Sequence, residues 1–270
     1  MTANAQIRAK QNVLGIMIDP TNYEDAVVRI VTAAKEHKPC IVSALAVHGT
    51  MTGVLDPTHR YRLNRFDLLV PDGQPVRWAL NCLHRSGLKD RVYGPQLTVY
   101  LLDRAAKENI PIYLYGTTQQ TLDLLQKKLH TRFPGLIIAG AAPSRFRQLS
   151  PEERSSIVEE IRSSGARMLF AALGCPRQEV WAYEHRNLLS IPIVAIGAAF
   201  PFLAGTLPQA PPFMQRLGLE WLFRLIHEPA RLWRRYILLN PAYLCLLGLQ
   251  TLGKRFDVLG RPPDRDLLLG

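Results

Sequence analysis

One carboxylate stands where the sequence predicts that a buried strand ends and the next helix begins. The apolar run at residues 66–70 is typical of a short buried strand, and Pro71 and Gly73 mark its end on either side of Asp72. In open α/β sheets, ligands bind in the crevice beyond the carboxyl ends of the strands. An aspartate at that place can accept the proton of a substrate hydroxyl, as transfer of a group onto an alcohol requires. Aspartate is also a common helix N-cap, so this residue alone leaves catalysis and capping both open.

Two further predicted strand ends place glycine and polar residues before a helix. They begin at Gly116 and at Gly174, and the second contains Gln178 and Glu179. Helix N-termini present unpaired N–H groups and a partial positive charge, which suits a bound diphosphate. Neither segment has the GxxxxGK[ST] pattern, and no GxGxxG follows the first predicted strand, which excludes a P-loop ATPase and a standard dinucleotide enzyme. Glycines at such junctions also serve tight turns, so this second interpretation stays open.

The sequence offers no metal-binding or hydrolase motif. Its seven histidines are scattered, without an HExxH pattern, a His/Cys cluster or a DxD pair, so we predict neither a metal site nor a cofactor. There is no GxSxG elbow to indicate a nucleophilic serine. His48 lies near the end of another predicted strand, where it could face a ligand or serve as an ordinary hydrogen-bonded residue.

Short apolar runs alternate with helical segments from residue 13 to residue 200. Most of the runs are apolar at consecutive positions, as in strands that are covered on both faces. Repeated β-α units predict an α/β, Rossmann-like fold, with a mainly parallel sheet and helices on both of its faces. The predicted strands span residues 13–18, 40–47, 66–70, 112–115, 136–139, 168–173 and 193–198. Capping boxes are predicted at Thr21, Thr117 and Ser150, and a left-handed helix end at Gly165.

The character of the chain changes after residue 200. Four prolines in residues 201–212 predict a linker, and residues 213–256 predict a basic, amphipathic helical appendage that binds a membrane surface. An ordinary surface helix packed on the core is the alternative. Pro229 and Pro241 should divide the appendage into about three helices. Residues 257–270 are predicted to be disordered.

The composition limits the class of partner. A formal net charge of +11 favours nucleic acid, an anionic membrane or a phosphorylated substrate, and no nucleic-acid-binding motif supports the first of these. The four cysteines form no CxxC pair and indicate buried thiols in a reducing compartment. The polar first twelve residues lack a signal-peptide core, so we expect a cytoplasmic protein. The longest uncharged run, residues 236–252, is short for a membrane-spanning helix.

Five motifs occur in an order that resembles a known family. They are Asp72-Gly73, RVxG from Arg91, GxPRQExW from Gly174, GLEWLFR from Gly218 and EPxR from Glu228. Over about residues 14–245 this set is similar to the WecG/TagA/CpsF glycosyltransferases, glycosyltransferase family 26. The resemblance implies an inverting, metal-independent enzyme at the cytoplasmic membrane face. It would move a sugar from a nucleotide-sugar donor onto a polyprenyl-diphosphate-linked sugar in the synthesis of a cell-surface polysaccharide.

The resemblance also implies roles for single residues. Asp72 would be the general base, Arg91 and Gln178 would line the substrate pocket, and the basic appendage would contact the lipid diphosphate and the bilayer. The whole predicted substrate-binding set is Ser43, His48, Gly73, Gln74, Arg91, Gly116, Gly174, Gln178 and Glu179. The predicted lipid-diphosphate and membrane contacts are Arg224, Arg231, Arg234 and Arg235. Association into a homo-oligomer stays open.

The chain departs from the family pattern at four places. Leu45 stands where a TxN motif has its asparagine, Pro75 replaces the second glycine of DGxG, Gln96 replaces the aspartate after RVxG, and Gln209 replaces the arginine of RAP. These changes leave the donor sugar open between an N-acetylmannosamine type, mannose and glucose. They also leave an alternative, a catalytically inactive adaptor that binds a nucleotide sugar at the membrane.

Overall fold

The computed structural model describes residues 9–270, apart from the side chains of Arg231 and Arg235. The strands are β1 (Gln11–Val13), β2 (Ile16–Ile18), β3 (Cys40–Leu45), β4 (Leu68–Pro71), β5 (Ile112–Gly116), β6 (Ile138–Ala142), β7 (Met168–Ala172) and β8 (Pro192–Ala195). The helices are α1 (Tyr23–Lys35), α2 (Val47–Leu55), α3 (Pro57–Leu63), α4 (Gln74–His84), α5 (Gly94–Lys107), α6 (Gln119–Arg132), α7 (Pro151–Ser163), α8 (Arg177–His185), α9 (Ala199–Ala204), α10 (Pro212–Arg216), α11 (Glu220–His227) and α12 (Pro229–Thr251).

Six parallel strands form the main sheet, in the order β4-β3-β8-β7-β5-β6. Alternate side chains of each strand enter two hydrophobic cores, one on each face. Val42 and Phe170 pack on the face that α1, α5, α6 and α9 cover, whereas Ile41 and Leu169 pack on the face of α4, α7 and α8. Because both faces are covered, the strands read as continuous apolar runs. The predicted α/β, Rossmann-like architecture is confirmed.

The first predicted strand, residues 13–18, is a hairpin instead. Leu14 and Gly15 have φ angles of 55° and 90°, so the chain turns back and Val13 pairs with Ile16. Two successive residues with positive φ are what a tight hairpin turn requires. The prediction of one strand was wrong because leucine at the first turn position keeps the apolar run unbroken.

Two of the three predicted capping boxes are displaced by one residue. Asn22, not Thr21, caps α1 by accepting the Asp25 N–H, and Thr118, not Thr117, caps α6. The capping box at Ser150 and the left-handed Gly165, with φ of 74°, are confirmed. The starts of α1 and α6 are therefore set by the side chain that reaches a free N–H.

The C-terminal region differs from the sequence prediction in two places. Residues 201–212 are partly helical, since α9 and α10 extend into both ends of the predicted linker. Pro241 lies inside α12 and does not divide it. Just beyond it, Tyr243 is buried and its hydroxyl donates to Pro75 O at 3.2 Å. Packing against the core thus holds the chain helical through a residue that alone favours a break.

The last residues of the chain were predicted to be disordered, and they lie against the α/β domain instead. The Glu184 carboxylate accepts the N–H groups of Leu267 and Leu268 at 2.7 and 3.1 Å. Leu268 O accepts the Leu149 N–H at 2.7 Å, and Gly270 O accepts from Ser144 Oγ at 2.8 Å. These partners lie far away in the sequence, so the local composition of residues 257–270 did not reveal them.

The cysteines and the long helices bear on the remaining predictions. Only Cys40 is buried; Cys175 is half-buried, and Cys82 and Cys245 are exposed, so the prediction of four buried thiols was wrong. Both exposed thiols lie on outward faces of helices, which a spacing argument does not identify.

Within residues 9–270, no helix combines the length and the apolar character that crossing a bilayer needs.

Candidate active site

A cleft of about 750 Å³ lies beyond the carboxyl ends of the parallel strands. Asp72 follows β4, Ala46 follows β3, Gly174 follows β7 and Gly197 follows β8, and all four line this main cleft. A smaller pocket of about 110 Å³, called the Asp72 pocket below, lies between Asp72 and the helices α11 and α12. The site therefore forms where the fold brings strand ends and the C-terminal helices together.

Most of the predicted site residues meet here. The main cleft is lined by Asp72, His48, Gly174, Gln178, Glu179 and Arg224, and the Asp72 pocket adds Gly73, Gln74 and Arg91. Ser43 is fully buried and contacts the cleft wall through Glu179. Gly116 lines neither cavity. A Cβ at this position would lie 2.6 Å from Ala172 O, so the close approach of β5 and β7 explains the glycine.

The arginines predicted to contact lipid are spread along the C-terminal helices. Arg224 lines both the main cleft and the Asp72 pocket. Its Nη2 lies 3.6 Å from Glu228 Oε2, with which it forms an ion pair. Arg234 is exposed and lies over the Trp233 ring, away from both cavities. The side chains of Arg231 and Arg235 lie outside the described residues.

Asp72 is held at the N-terminus of α5 rather than at that of the helix that follows it. Its Oδ1 accepts the Gly94 N–H at 2.9 Å, whereas α4 has Gly73 as its N-cap residue and no side-chain cap. Within residues 9–270, no other hydrogen bond reaches this carboxylate, so Oδ2 has no hydrogen-bond partner there. Burial raises the pKa of Asp72 to about 6; Arg91 and Arg224 act against burial, and Glu220 acts with it. The group can therefore take up a proton near neutral pH.

Arg91 and Glu220 form an ion pair across the Asp72 pocket. Arg91 Nη2 donates to Glu220 Oε2 at 2.7 Å, and the Arg91 guanidinium lies 4.4 Å from the centre of the Tyr93 ring. The Val92 N–H donates to Pro71 O at 2.8 Å, which keeps this segment beside the end of β4. Burial works against the Arg91 charge, but Asp72 and Glu220 raise the pKa of Arg91, so the guanidinium stays charged.

A chain of hydrogen bonds stiffens the opposite wall of the main cleft. Ser43 Oγ and Gln178 Nε2 both donate to Glu179 Oε1 at 2.9 Å, and Gln178 Oε1 accepts the Gly197 N–H at 3.0 Å. Burial raises the pKa of Glu179, while the bonds from Gln178 and Ser43 lower it. These contacts fix the Gln178 amide, which keeps one N–H for a ligand.

A third cavity of about 300 Å³, called the Gln74 cavity below, adjoins the Asp72 pocket. Its lining residues are Tyr23, Gln74, Asp90, Arg91, Tyr93, Gln96, Gln209, Pro212, Gln215 and Arg216. Gln74 and Arg91 line this cavity and the Asp72 pocket together. Gln96 and Gln209, two of the positions where the chain departs from the pattern described above, meet here. Leu45, another departure, lines the main cleft.

Comparison with known proteins decides the family. The model of the glycosyl transferase WecG/TagA/CpsF family matches residues 11–257. An N-acetylglucosaminyldiphosphoundecaprenol N-acetyl-β-D-mannosaminyltransferase of Bacillus spizizenii is 30% identical over 190 residues, which cover 70% of this chain and 71% of that protein. The chain belongs to the WecG/TagA/CpsF glycosyltransferase family. The resemblance noted in the sequence is confirmed, and the protein is a glycosyltransferase.

Sequence reasoning missed several residues of this glycosyltransferase site. Glu220, Tyr236 and Asn240 line the Asp72 pocket from α11 and α12, and Tyr93 lines the main cleft. Glu220 and Tyr93 lie inside the motifs that carried the resemblance. Whether their side chains reach the site depends on how α11 packs and on how the Arg91 segment follows β4. A sequence motif does not contain this information.

The C-terminal helices of this glycosyltransferase expose large apolar side chains. Ile226, Ile237 and Leu238 are 67%, 59% and 63% exposed, and the aromatic Trp221 and Trp233 are also exposed. Scattered single apolar residues are normal on a surface, whereas this set lies on two adjacent helices beside Arg234.

Across residues 9–270, no group of three or more His, Cys, Asp or Glu side chains is arranged to hold a metal ion.

Proposed function

We propose that this protein transfers a sugar from a nucleotide-sugar donor onto a polyprenyl-diphosphate-linked sugar, with inversion and with Asp72 as the general base. The single observation that carries the proposal is the Asp72 carboxylate in a cleft at the strand ends. It has one oxygen bound to Gly94 N–H and a pKa of about 6. The name of the Bacillus relative supports the substrate class, because it describes transfer of N-acetyl-β-D-mannosamine onto N-acetylglucosaminyldiphosphoundecaprenol.

The chemistry of Asp72 follows from its surroundings. Glu220 is paired with Arg91, whereas burial raises the pKa of Asp72 to about 6, so Asp72 can take up a proton near neutral pH. It removes the proton of the acceptor hydroxyl while that oxygen attacks the anomeric carbon of the donor. The new C–O bond forms as the bond between the anomeric carbon and the diphosphate oxygen breaks, and its electron pair leaves with the nucleotide diphosphate. One displacement of this kind inverts the anomeric centre.

The departing diphosphate needs positive charge or N–H dipoles to stabilise it. The N-termini of α6 and α8 open onto the main cleft at Thr118 and Gly174, and Arg224 faces the same space. Helix N-termini and arginine stabilise phosphate groups by fixed dipoles and by charge. This arrangement supports a metal-independent mechanism, and a volume of about 750 Å³ accommodates a nucleotide sugar.

The C-terminal helices would hold the enzyme on the inner face of the membrane. Their exposed apolar side chains and their arginines combine the two forces that bind interfacial helices. Such docking is reversible, which suits an enzyme that exchanges a soluble donor and a lipid acceptor. Glu220 and Arg224 place α11 at the same pocket as Asp72, so the bilayer and the reacting groups would lie close together.

The test is a donor screen with purified protein and vesicles that carry polyprenyl-diphosphate N-acetylglucosamine. UDP-N-acetylmannosamine, its uronic acid, UDP-glucose and GDP-mannose are offered with and without EDTA. We expect transfer from one donor, product of inverted configuration, and the same rate in EDTA. Donor binding without transfer from any of them would favour the inactive adaptor instead, and a rate abolished by EDTA would contradict the metal-independent mechanism.

A further inference from the structure

Gln74, which lines the Gln74 cavity, carries a buried oxygen whose hydrogen-bonding capacity the described residues leave unused. Gln74 is 6% exposed, and within residues 9–270 its Oε1 has no hydrogen-bond partner. Buried amide oxygens are nearly always paired, since an unpaired one loses its bonds to water without replacement. A bound ligand would supply the missing donor. The position of Gln74 is notable as well, because it is two residues from Asp72 and lines the Asp72 pocket too.

The chemistry of the cavity wall identifies the class of ligand. Besides Gln74, the amides of Gln96, Gln209 and Gln215 and the phenols of Tyr23 and Tyr93 line it. Amides and phenols donate and accept hydrogen bonds without net charge, as the hydroxyl and acetamido groups of a sugar ring require. The wall also carries three charged side chains: Arg91 is paired with Glu220, and the charge of the exposed Arg216 is offset by the opposite charge of Asp90. Because the wall has no excess of positive charge beyond the paired arginine, it suits a neutral sugar ring better than a diphosphate.

The size and place of the cavity separate it from the donor cleft. Its volume of about 300 Å³ accommodates one monosaccharide, whereas the main cleft of about 750 Å³ accommodates a nucleotide sugar. Tyr93 lines both spaces, and Gln209 Nε2 donates to its hydroxyl at 3.3 Å. A sugar in the Gln74 cavity would thus approach the Asp72 pocket through a space that no residue of α8 lines.

We propose that the Gln74 cavity is the acceptor subsite, which binds the lipid-linked sugar as a neutral hexose or N-acetylhexosamine ring and directs its hydroxyl to Asp72. This assignment rests on the proposed function. Gln74 is a specificity-determining residue in it, since its amide binds the ring without taking part in the proton transfer. Gln96, which is half-buried, contributes a second amide from α5.

Substitution by leucine tests the subsite, because it keeps the size of glutamine and removes the amide. Gln74→Leu and Gln96→Leu should each raise the KM for the lipid-linked acceptor about tenfold. The KM for the nucleotide sugar should stay unchanged, and the thermal midpoint should not fall. Gln148→Leu, at an exposed position that lines none of the three cavities, is the matched control. A rise in the donor KM instead, or no rise in either KM, would overturn the assignment.

A binding measurement distinguishes failure of the subsite from failure of the proposed transferase. Saturation-transfer NMR with the methyl glycoside of N-acetylglucosamine should show binding to the unaltered protein and loss of binding in Gln74→Leu. If no donor supports transfer but this sugar binds with that dependence, the subsite stands and the proposed reaction falls. If transfer occurs and the sugar binds equally to both proteins, the subsite falls while the reaction stands.

Discussion

Arg91 Nη2 and Glu220 Oε2 lie 2.7 Å apart, and this ion pair joins two separate parts of the chain at the Asp72 pocket. Arg91 precedes α5 of the α/β domain, whereas Glu220 is the first residue of α11 in the C-terminal helices. Arg91 favours the ionised form of Asp72, and Glu220 opposes it. Burial has the largest effect on the pKa of Asp72, and the docking of α11 adds to it through Glu220 and opposes it through Arg224.

Glu220→Gln should change the pH dependence of transfer. Loss of the negative charge lets Arg91 act on Asp72 alone, so the pKa of Asp72 falls below its value of about 6. Activity requires the ionised carboxylate, so the acidic limb of the kcat profile should move to lower pH. Glu220→Asp, which keeps the charge, should restore the profile of the unaltered protein. An acidic limb at the same pH in Glu220→Gln would show that the ion pair does not influence the base.

Asp72→Asn should stabilise the fold above about pH 6. The pKa of Asp72 is raised from 3.8 to about 6 in the folded protein, so the unfolded chain ionises first as the pH rises. Stability is thus lost between about pH 4 and pH 6 and stays lower above that range, whereas asparagine does not ionise. We expect the free energy of unfolding of the variant to be roughly 3 kcal/mol higher at pH 7.5, because each pKa unit between 3.8 and about 6 corresponds to about 1.4 kcal/mol.

Urea unfolding at pH 7.5 and pH 4.5 measures this difference. The gap between the two proteins should shrink at the lower pH, where Asp72 is largely protonated in the folded protein and no longer carries a buried charge. Asp123→Asn, on the exposed surface of α6, should show no such gap. A variant less stable than the unaltered protein at pH 7.5 would mean that the Asp72 charge is not strained by burial.

Gly218→Ala should disturb the docking of the C-terminal helices. Gly218 has φ of +72°, and a Cβ there would lie 3.2 Å from Trp78 Cη2 and 3.4 Å from Gln74 Cβ. Alanine would strain the backbone and push the turn before α11 away from α4, so transfer to the lipid acceptor should fall at least about tenfold. Gly253→Ala shares the positive φ without any contact, and should keep full activity. Equal loss in both variants would assign the effect to backbone strain alone.

Arg234→Gln should weaken binding to anionic vesicles. Arg234 is exposed beside the apolar side chains of α12, and one basic residue at such a surface contributes about 1 kcal/mol, or about fivefold in affinity. Vesicle sedimentation measures the change, with Arg132→Gln on α6 as a control of equal charge. Point substitutions are preferable to truncation here, because residues 257–270 pack back on the α/β domain. Equal binding of both variants would place the membrane surface elsewhere.

The sequence predicted the sheet well because its strands are buried on both faces, which leaves apolar runs such as residues 168–172. Asp72 was identifiable because a strand end and a glycine turn mark it locally. The Gln74 cavity, the Glu220 contact and the packed tail were not, since each joins residues more than 80 positions apart. Local sequence patterns identify helices and strands, whereas these three features depend on how the helices and strands pack together.

The turnover of Asp72→Asn tests the central claim most directly. Asparagine keeps the shape of the side chain and can still accept the Gly94 N–H, but it does not take up a proton at neutral pH. With the donor that supports transfer, kcat should fall about 10²- to 10⁴-fold while the donor KM stays the same. Asp123→Asn should keep full activity. A variant that turns over at the rate of the unaltered protein would contradict the assignment of Asp72 as the general base.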